Sequence, residues 1–423
     1  MMSSRLETWH TVVFITLVSC GTVLAELPRD TWFTTAAVSL SLGASALALA
    51  GTAALLGGRW KTIETLFGGL DRVYRTHKWL GIWALAFASF HLVFQAELDE
   101  WSRASILALP RASTRFVRQL SFVALMLIVL LALNRNIPYH VWRLWHKLSG
   151  PLFGVMVLHW LSIRSPIALG SPAGIWLGAI SALGLIAAFY KLLLYPFLSR
   201  HAEYRVVGAS TGPAALHLEL EPVGRSVPFK PGQFGFLRMK IEGLREPHPF
   251  TIVGSGSGDR VHFLIRGLGD YTNRLIREAA PGMHAEIYAP YGRFERSQDA
   301  KREVWIAGGV GISPFVAWLS DPQARRFDAV TFFYFFTPGR EFPSPEVLSK
   351  MACERGAEFV SVPDGPASPA FLRRFGEIVA EAGPEAVTVS FCGPKGLLNY
   401  VRARMREKGI PEKNLHYEYF EFR

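Results

Sequence analysis

Two apolar stretches bounded by histidine decide how the chain reads: HKWLGIWALAFASFH at residues 77–91 and HKLSGPLFGVMVLH at residues 146–159. Outward from them, uncharged runs recur at 8–25, 31–58, 79–96, 119–134, 148–163 and 165–190. A membrane span needs about 20 mostly apolar residues, with a range of about 17 to 25. Six spans are therefore expected, the short fourth and fifth being extended by Arg118, Arg135 and Lys147 snorkelling to the interface. Residues 8–25 follow Arg5 and Glu7, and Leu17-Val18-Ser19-Cys20 fits a lipoprotein cleavage box. They are still read as the first span rather than a signal peptide, because further spans follow at once.

Composition agrees with a membrane protein. Half of the 423 residues are hydrophobic, and the formal net charge is +11. No basic stripe or nucleic-acid-binding motif accounts for that charge, so no nucleic-acid partner is expected. The loops at 57–78 and 134–147 hold eight Lys and Arg, the opposite loops six. This bias is modest; the stronger reason to place both ends of the bundle on the cytosolic side of the cell membrane is that a nicotinamide-binding region, expected directly after the sixth span, belongs in the cytosol. Cys20, Cys353 and Cys392 are odd in number and widely spaced, which indicates neither a disulfide framework nor a zinc site.

The third and fifth spans run in the same direction, so His77 should face His146 and His91 should face His159. Neutral imidazole ligates iron well, and a haem iron takes two axial ligands. Two stacked haems are expected, their irons about 20 Å apart at 1.5 Å per residue. The alternative, polar packing histidines, fits poorly with two spaced pairs of ionisable residues inside a membrane. Thirteen residues rotate His159 away from His146 on an ideal helix, and Gly150-Pro151 could restore the phase through a kink. Arg72, Arg75, Lys78, Arg143 and Lys147 crowd the inner end, as propionate partners or as ordinary loop charge. Trp83 and Phe153 lie between the His levels, as bridges or as packing. His10 and His140 have no matching partner and are read as surface or interface residues.

After Pro196 the texture changes. Residues 203–295 show short alternating strands with Gly and Pro turns, which predicts a small antiparallel β-barrel. Residues 302–423 alternate apolar strands with helical segments, the pattern of a parallel α/β sheet. The expected domains are a six-helix bundle at 1–200, a barrel at 201–297 and an α/β domain at 298–423.

In the barrel region, His248-Pro249-Phe250-Thr251 closes a strand. Thr251 could serve a flavin N5 and His248 its pyrophosphate, with Pro231-Gly232-Gln233-Phe234 packing alongside. Arg266 to Thr272 (RGLGDYT) leads into a helix whose first N–H groups, near Gly269 and Thr272, could hold a phosphate. Gly308-Gly309-Val310-Gly311-Ile312-Ser313-Pro314 follows a strand and opens a helix, where glycines let backbone approach a pyrophosphate. Cys392-Gly393-Pro394 ends a later strand, beside a nicotinamide ring or as a small buried hydrophobe. Arg340 could meet a 2′-phosphate, favouring NADPH over NADH, or be a solvated loop charge. Phe420 could stack on the flavin, or pack in a strand.

On these residues the chain resembles the ferric reductase and NADPH oxidase superfamily, prokaryotic branch, over nearly its whole length. The soluble half also resembles ferredoxin-NADP reductases. The resemblance implies two haems b, ligated by His77 with His146 and by His91 with His159. It also implies FAD at His248–Thr251, a pyrophosphate loop at Gly308–Pro314, a nicotinamide motif at Cys392–Pro394, and Phe420 as the terminal aromatic, with Phe422 a competitor. Thr251, Cys392 and Phe420 are then the residues expected at hydride transfer. The implied activity is electron transfer from cytosolic NAD(P)H, through FAD and both haems, to an acceptor outside. The expected acceptor is oxygen, giving superoxide; ferric or cupric ion, or a partner protein, are the alternatives. Eukaryotic oxidases carry a further His where this chain has Gln95, and an Arg on the second span where residues 31–58 have none.

Overall fold

The computed structural model describes residues 6–94, 96–134, 136–213, 215–254, 260–297 and 300–418. The chain divides at Leu198/Ser199 into two compact units.

The first unit is helical: α1 Thr8–Glu26, α2 Thr35–Leu56, α3 Lys61–Phe67, α4 Leu70–Val93, α5 Arg111–Leu133, α6 Tyr139–His146, α7 Ser149–Ser162, α8 Pro172–Phe189 and α9 Tyr195–Leu198. A π-turn at Tyr190–Leu194 joins the last two. All six expected runs are helical, but the long apolar helices number four among the described residues: α1, α2, α5 and the continuous Pro172–Leu198. α4 is long enough, but Asp71, Arg72, Arg75 and Lys78 load its first half with charge. α7 has 14 residues, about 21 Å, too short for a core of about 30 Å.

α2 is the hub, packing on α1, α4 and α8. Its sequence, TAAVSLSLGASALALAGTAALL, explains why: small residues let neighbouring backbones approach closely. A Cβ at Gly184 of α8 would lie 3.0 Å from the Gly51 Cα of α2 and 2.7 Å from the Phe153 ring, so this crossing requires glycine.

The second unit opens with an antiparallel sheet. Its strands are β1 His201–Gly212, β2 Ala215–Pro222, β3 Phe234–Met239, β4 His248–Thr251, β5 Val261–Arg266 and β6 His284–Tyr291, in the order β4-β3-β6-β1-β2-β5. A Val253–His262 bridge carries the end of β4 onto β5 and curls the sheet toward a barrel. The two-residue alternation of β2 is legible in its burial: Leu216, Leu218 and Leu220 are fully buried inside, while His217 and Glu219 face outward. Helix α10, Asp270–Glu278, follows β5.

A parallel sheet follows, β11-β10-β7-β8-β9, from β7 Arg302–Gly308, β8 Val330–Phe335, β9 Glu358–Val362, β10 Val387–Cys392 and β11 Leu415–Glu418. Helices α11 Ser313–Leu319, α12 Pro345–Glu354, α13 Pro369–Ala382 and α14 Lys395–Glu407 alternate with these strands. Every residue of β8, VTFFYF, is buried, as expected for a strand covered on both faces. The order reverses at β7: β8 and β9 lie to one side, β10 and β11 to the other. The crevice for a ligand is therefore expected at the carboxyl ends of β7 and β10.

One buried ion pair ties the barrel exit to this sheet. Arg296 meets Glu303 at 2.8 Å, both side chains 4% exposed. Trp305 Nε1 donates to Glu303 at 2.9 Å, and the guanidinium donates to the Arg325 and Arg326 carbonyls and lies over Phe327. Removing one partner strands a buried charge. Arg296→Met should destabilise the second unit by about 3–5 kcal/mol, and Arg296→Met with Glu303→Leu should recover most of that. Urea unfolding followed by tryptophan fluorescence checks this; equal losses in the two variants would contradict it.

Candidate functional site

The helical unit brings the four histidines together in two levels. On α4, His77 and His91 lie about four turns apart and share a face. His77 Nδ1 is 2.8 Å from the Ala53 carbonyl, and His91 Nδ1 is 3.0 Å from the Ser39 carbonyl. A carbonyl oxygen only accepts, so both Nδ1 atoms carry the proton. Each Nε2 is left with a lone pair, the state a metal-ligating histidine needs. Gly43 makes room for the second ring, because a Cβ there would sit 2.7 Å from His91 Nδ1.

Opposite, His146 ends α6 and His159 lies on α7. The rings of His77 and His146 are 5.9 Å apart, edge to face. An atom bound between two imidazoles at about 2 Å from each nitrogen separates the ring centres by roughly 6 Å. Nδ1 of His146 and of His159 is buried without a hydrogen-bond partner. Among the described residues, no cluster of three or more His, Cys, Asp or Glu could hold a bare metal ion. Paired imidazoles fit an iron already held by four equatorial nitrogens, as in haem, so the donor set matches that group.

The phase problem on the second stretch is solved differently from the expected kink. The break lies at Lys147-Leu148, upstream of Gly150-Pro151, and splits the stretch into two helices. Pro151 then sits in the first turn of α7, where its missing N–H costs nothing. Phe153 fills the Gly51–Gly184 crossing, and Trp83 packs edge-on to Trp9 and against Phe87. Both are packing residues by their contacts. His10 and His140 are exposed. Gln95 lies outside the described residues.

In the barrel, β4 runs antiparallel to β3, with His248 opposite Leu237, Pro249 opposite Phe236, Phe250 opposite Gly235 and buried Thr251 opposite Phe234. His248 accepts no lone role: its ring stacks on Tyr271 at 3.7 Å, and Nε2 is 3.2 Å from the Glu246 carboxylate. Burial pushes the Tyr271 hydroxyl up from its ordinary range, and it donates to the Leu244 carbonyl. Gln233 braces the neighbouring turn, accepting from Lys230 N at 2.9 Å and donating to the Gly292 carbonyl at 3.1 Å. At the start of α10, Thr272 Oγ1 accepts from the N–H groups of Leu268 and Gly269 at 2.9 and 3.1 Å. The N–H groups just before the helix are thus engaged by its own cap.

The glycine loop and the Cys392 loop meet at the switch point. Ala307 and Cys392 are register partners on β7 and β10. A Cβ on Gly308 would lie 2.6 Å from Pro394, and one on Gly393 would lie 3.0 Å from the Gly308 backbone. A Cβ on Gly311 would overlap the Cys392 carbonyl. Gly309 is in the left-handed region (φ 56°), which favours glycine. Ser313 donates to the Val310 carbonyl at 3.1 Å, and Pro314 opens α11. Arg266, Gly309, Val310, Tyr334, Arg340 and Phe342 line one cleft, which gathers residues from three separate motifs. Two guanidinium groups thus flank one glycine turn, and guanidinium groups and turn N–H groups are both chemistry that pairs with anions.

Cys392 is fully buried. Burial, with the Glu418 charge second, pushes its thiol well above the usual range. The protonated form therefore persists through neutral pH, and the residue is not poised as a nucleophile. Sequence reasoning passed over two residues here. Tyr271 stacks on His248, and its signal was only an aromatic inside the RGLGDYT run. Glu418 is 5% exposed and pairs in register with Cys392. A Cβ on Gly292 would meet its carboxylate at 2.6 Å, so the carboxylate lies against the turn that follows β6. Its signal was a carboxylate inside an aromatic terminal strand. Phe420 and Phe422 lie outside the described residues.

Residues 42–157 match the ferric reductase like transmembrane component family, and residues 207–311 match an FAD-binding domain family. Among curated proteins, the chain is 29% identical over 54% of its length to the ferredoxin–NAD(+) reductase component of the alkene monooxygenase system of Xanthobacter autotrophicus, covering 72% of that protein. It is 26% identical over 45% of its length to a flavohemoprotein of Pseudomonas putida, of which it spans 51%. It is 27% identical over 37% of its length to NADPH oxidase 1 of Rattus norvegicus, covering 28% of that protein.

Maleimide at pH 8 should label exposed Cys353 in the native protein and reach Cys392 only after unfolding. Mass mapping of the labelled peptides checks this, and comparable native labelling of Cys392 would contradict the buried-thiol assignment.

Proposed function

We propose that this chain, an NAD(P)H-dependent oxidoreductase of the superfamily that joins a ferric reductase-like transmembrane component to an FAD-binding reductase domain, carries electrons across the membrane through two haems to an acceptor on the far side. The observation that carries the reading is the anchoring of His77 and His91 by backbone carbonyls. It leaves an Nε2 lone pair at two levels of one helix, with half-buried His146 beside His77 and half-buried His159 near His91. The matched transmembrane family spans three of these four histidines.

Bound FAD would accept a hydride pair and bound haem would carry single electrons, chemistry that belongs to the cofactors. The chain's own residues bind and orient. His77 with His146, and His91 with His159, hold the two irons. His248, fixed by Tyr271 and Glu246, and Thr251 at the end of β4 line the flavin side. Gly308 to Pro314, Arg266 and Arg340 hold the nucleotide phosphates, Arg340 favouring the 2′-phosphate of NADPH. Cys392 and Glu418 shape the floor where the nicotinamide ring would lie, and Phe420 covers the flavin in its absence. α4 and α7 complete a six-span bundle. The reductase unit lies in the cytosol, where NAD(P)H is made, and the membrane is the cell membrane.

Replacing His91 with Leu should remove one haem and abolish transmembrane transfer, while flavin reduction by NADPH survives. Pyridine haemochrome assay and stopped-flow spectra check this; two bis-histidine haems in the variant would sink the assignment. Oxygen is the proposed acceptor. Purified protein with FAD and NADPH in air should reduce cytochrome c, and superoxide dismutase should abolish that reduction. Little superoxide, with haem bands still reduced anaerobically, would instead make the acceptor a ferric or cupric ion or a partner protein.

A further inference from the structure

At the His77–His146 end of the bundle, α8 does not run straight into α9. A π-turn over Tyr190–Leu194 intervenes, with Tyr195 N–H reaching back to the Tyr190 carbonyl. Such single turns widen the helix by one residue and are frequent at functional sites. Here the turn presents Lys191. The stem of this side chain is partly exposed, yet its ammonium nitrogen is buried and has no hydrogen-bond partner. It lies 3.3 Å over the ring of Tyr195, one turn along. An ammonium group carries three donors, and leaving them unmet in a buried position is costly.

The neighbours add positive charge. The Arg59 and Arg143 charges both act on Lys191. Arg59 is held in the left-handed region (φ 61°), uncommon for a residue with a side chain. It donates to the Tyr74 hydroxyl and, at 3.5 Å, to the Tyr195 hydroxyl. Tyr74 lies one turn before His77 on α4, and Arg143 one turn before His146 on α6, so both share a face with a ligand histidine. The three cations and two phenols therefore surround the approach to one His pair. Cations converging on a buried, unsatisfied ammonium call for an anion, and a carboxylate meets the geometry of an ammonium beside a guanidinium.

We propose that Lys191, supported by Arg59, Tyr74 and Tyr195, is the carboxylate-binding site for the porphyrin held between His77 and His146. This rests on the haem reading given above. It assigns the anion site to the π-turn of the last span, in place of the inner-loop residues Arg72, Arg75, Lys78 and Lys147. A lipid phosphate is the competing source of the same chemistry. The conservative Lys191→Arg keeps a cation, whereas Lys191→Met keeps the stem and removes the charge.

The test titrates the full-length apoprotein with haem and with haem dimethyl ester, whose carboxylates are blocked. The haem bound at the His77–His146 level is scored by its midpoint potential and its bis-histidine spectrum. The haem at His91–His159 serves as the internal control of folding. In the wild type, haem should bind the His77–His146 level at least about tenfold more tightly than the ester. In Lys191→Met that preference should fall to about one, with the His91–His159 haem retained, and Lys191→Arg should keep most of it. A preference unchanged in Lys191→Met overturns the proposal while leaving the haem reading intact. No bis-histidine haem in the wild type overturns the haem reading itself. A Lys191→Met effect seen only in bilayers containing phosphatidylglycerol, and absent in phosphatidylcholine, assigns the cation to a lipid phosphate and overturns the proposal as well.

Discussion

The helical unit depends on one constraint, the need of a buried imidazole N–H for an acceptor. Away from water an unmet donor is expensive, and α2 supplies two carbonyls at the right heights, Ala53 and Ser39. This couples α2 to α4 twice along their length. It also decides the tautomer, because a carbonyl can only accept. Ser39 does more: its hydroxyl donates to the Phe94 carbonyl at 2.6 Å, tying the end of α4 to the same turn of α2. Small residues of α2 serve this contact and its other packing: Gly43 admits the His91 ring, and Gly51 admits Gly184 and Phe153 from the other side.

The reductase unit solves a different problem with similar economy. The loops after β7 and β10 approach one another so closely that side chains are excluded, hence glycine at 308, 311 and 393. The walls can then be built from large residues. Trp305, Phe315, Trp318 and Phe332 pack ring to ring in one core that includes Cys392, and Trp305 donates from it to Glu303. Trp318 also donates to the Pro231 carbonyl at 3.2 Å, so this core reaches the turn before β3. The turn before β3 and the helix that follows the glycine loop are thereby tied to one aromatic layer.

Much of this was legible in sequence, and the failures are informative. The antiparallel and parallel halves of the reductase could be read from periodicity, since β2 alternates and β8 does not. The pairing of His77 with His146 followed from counting spans. The six-span reading ran ahead of the helices. α4 and α7 take their place by packing on α2, α5 and α8, and their own composition is too charged or their length too short to announce a span. The helix break at Lys147-Leu148 was displaced by three residues from the expected Gly150-Pro151, because proline marks where a helix starts as readily as where it bends.

The sequence by itself determined the order of the parts: a histidine-bearing apolar region, a strand-rich region with His248–Thr251, and an α/β region with two glycine loops. It did so because hydrophobic periodicity and turn chemistry act over a few residues and are written locally. Only the tertiary structure decided the partners of those residues. That Arg266 and Arg340 share one cleft, that His248 stacks on Tyr271, that the Glu418 carboxylate packs at Gly292, and that the Lys191 ammonium ends buried near Arg59 all depend on contacts between residues far apart in the chain. Such contacts arise from packing and from the cost of unmet polar groups, and no local pattern records them.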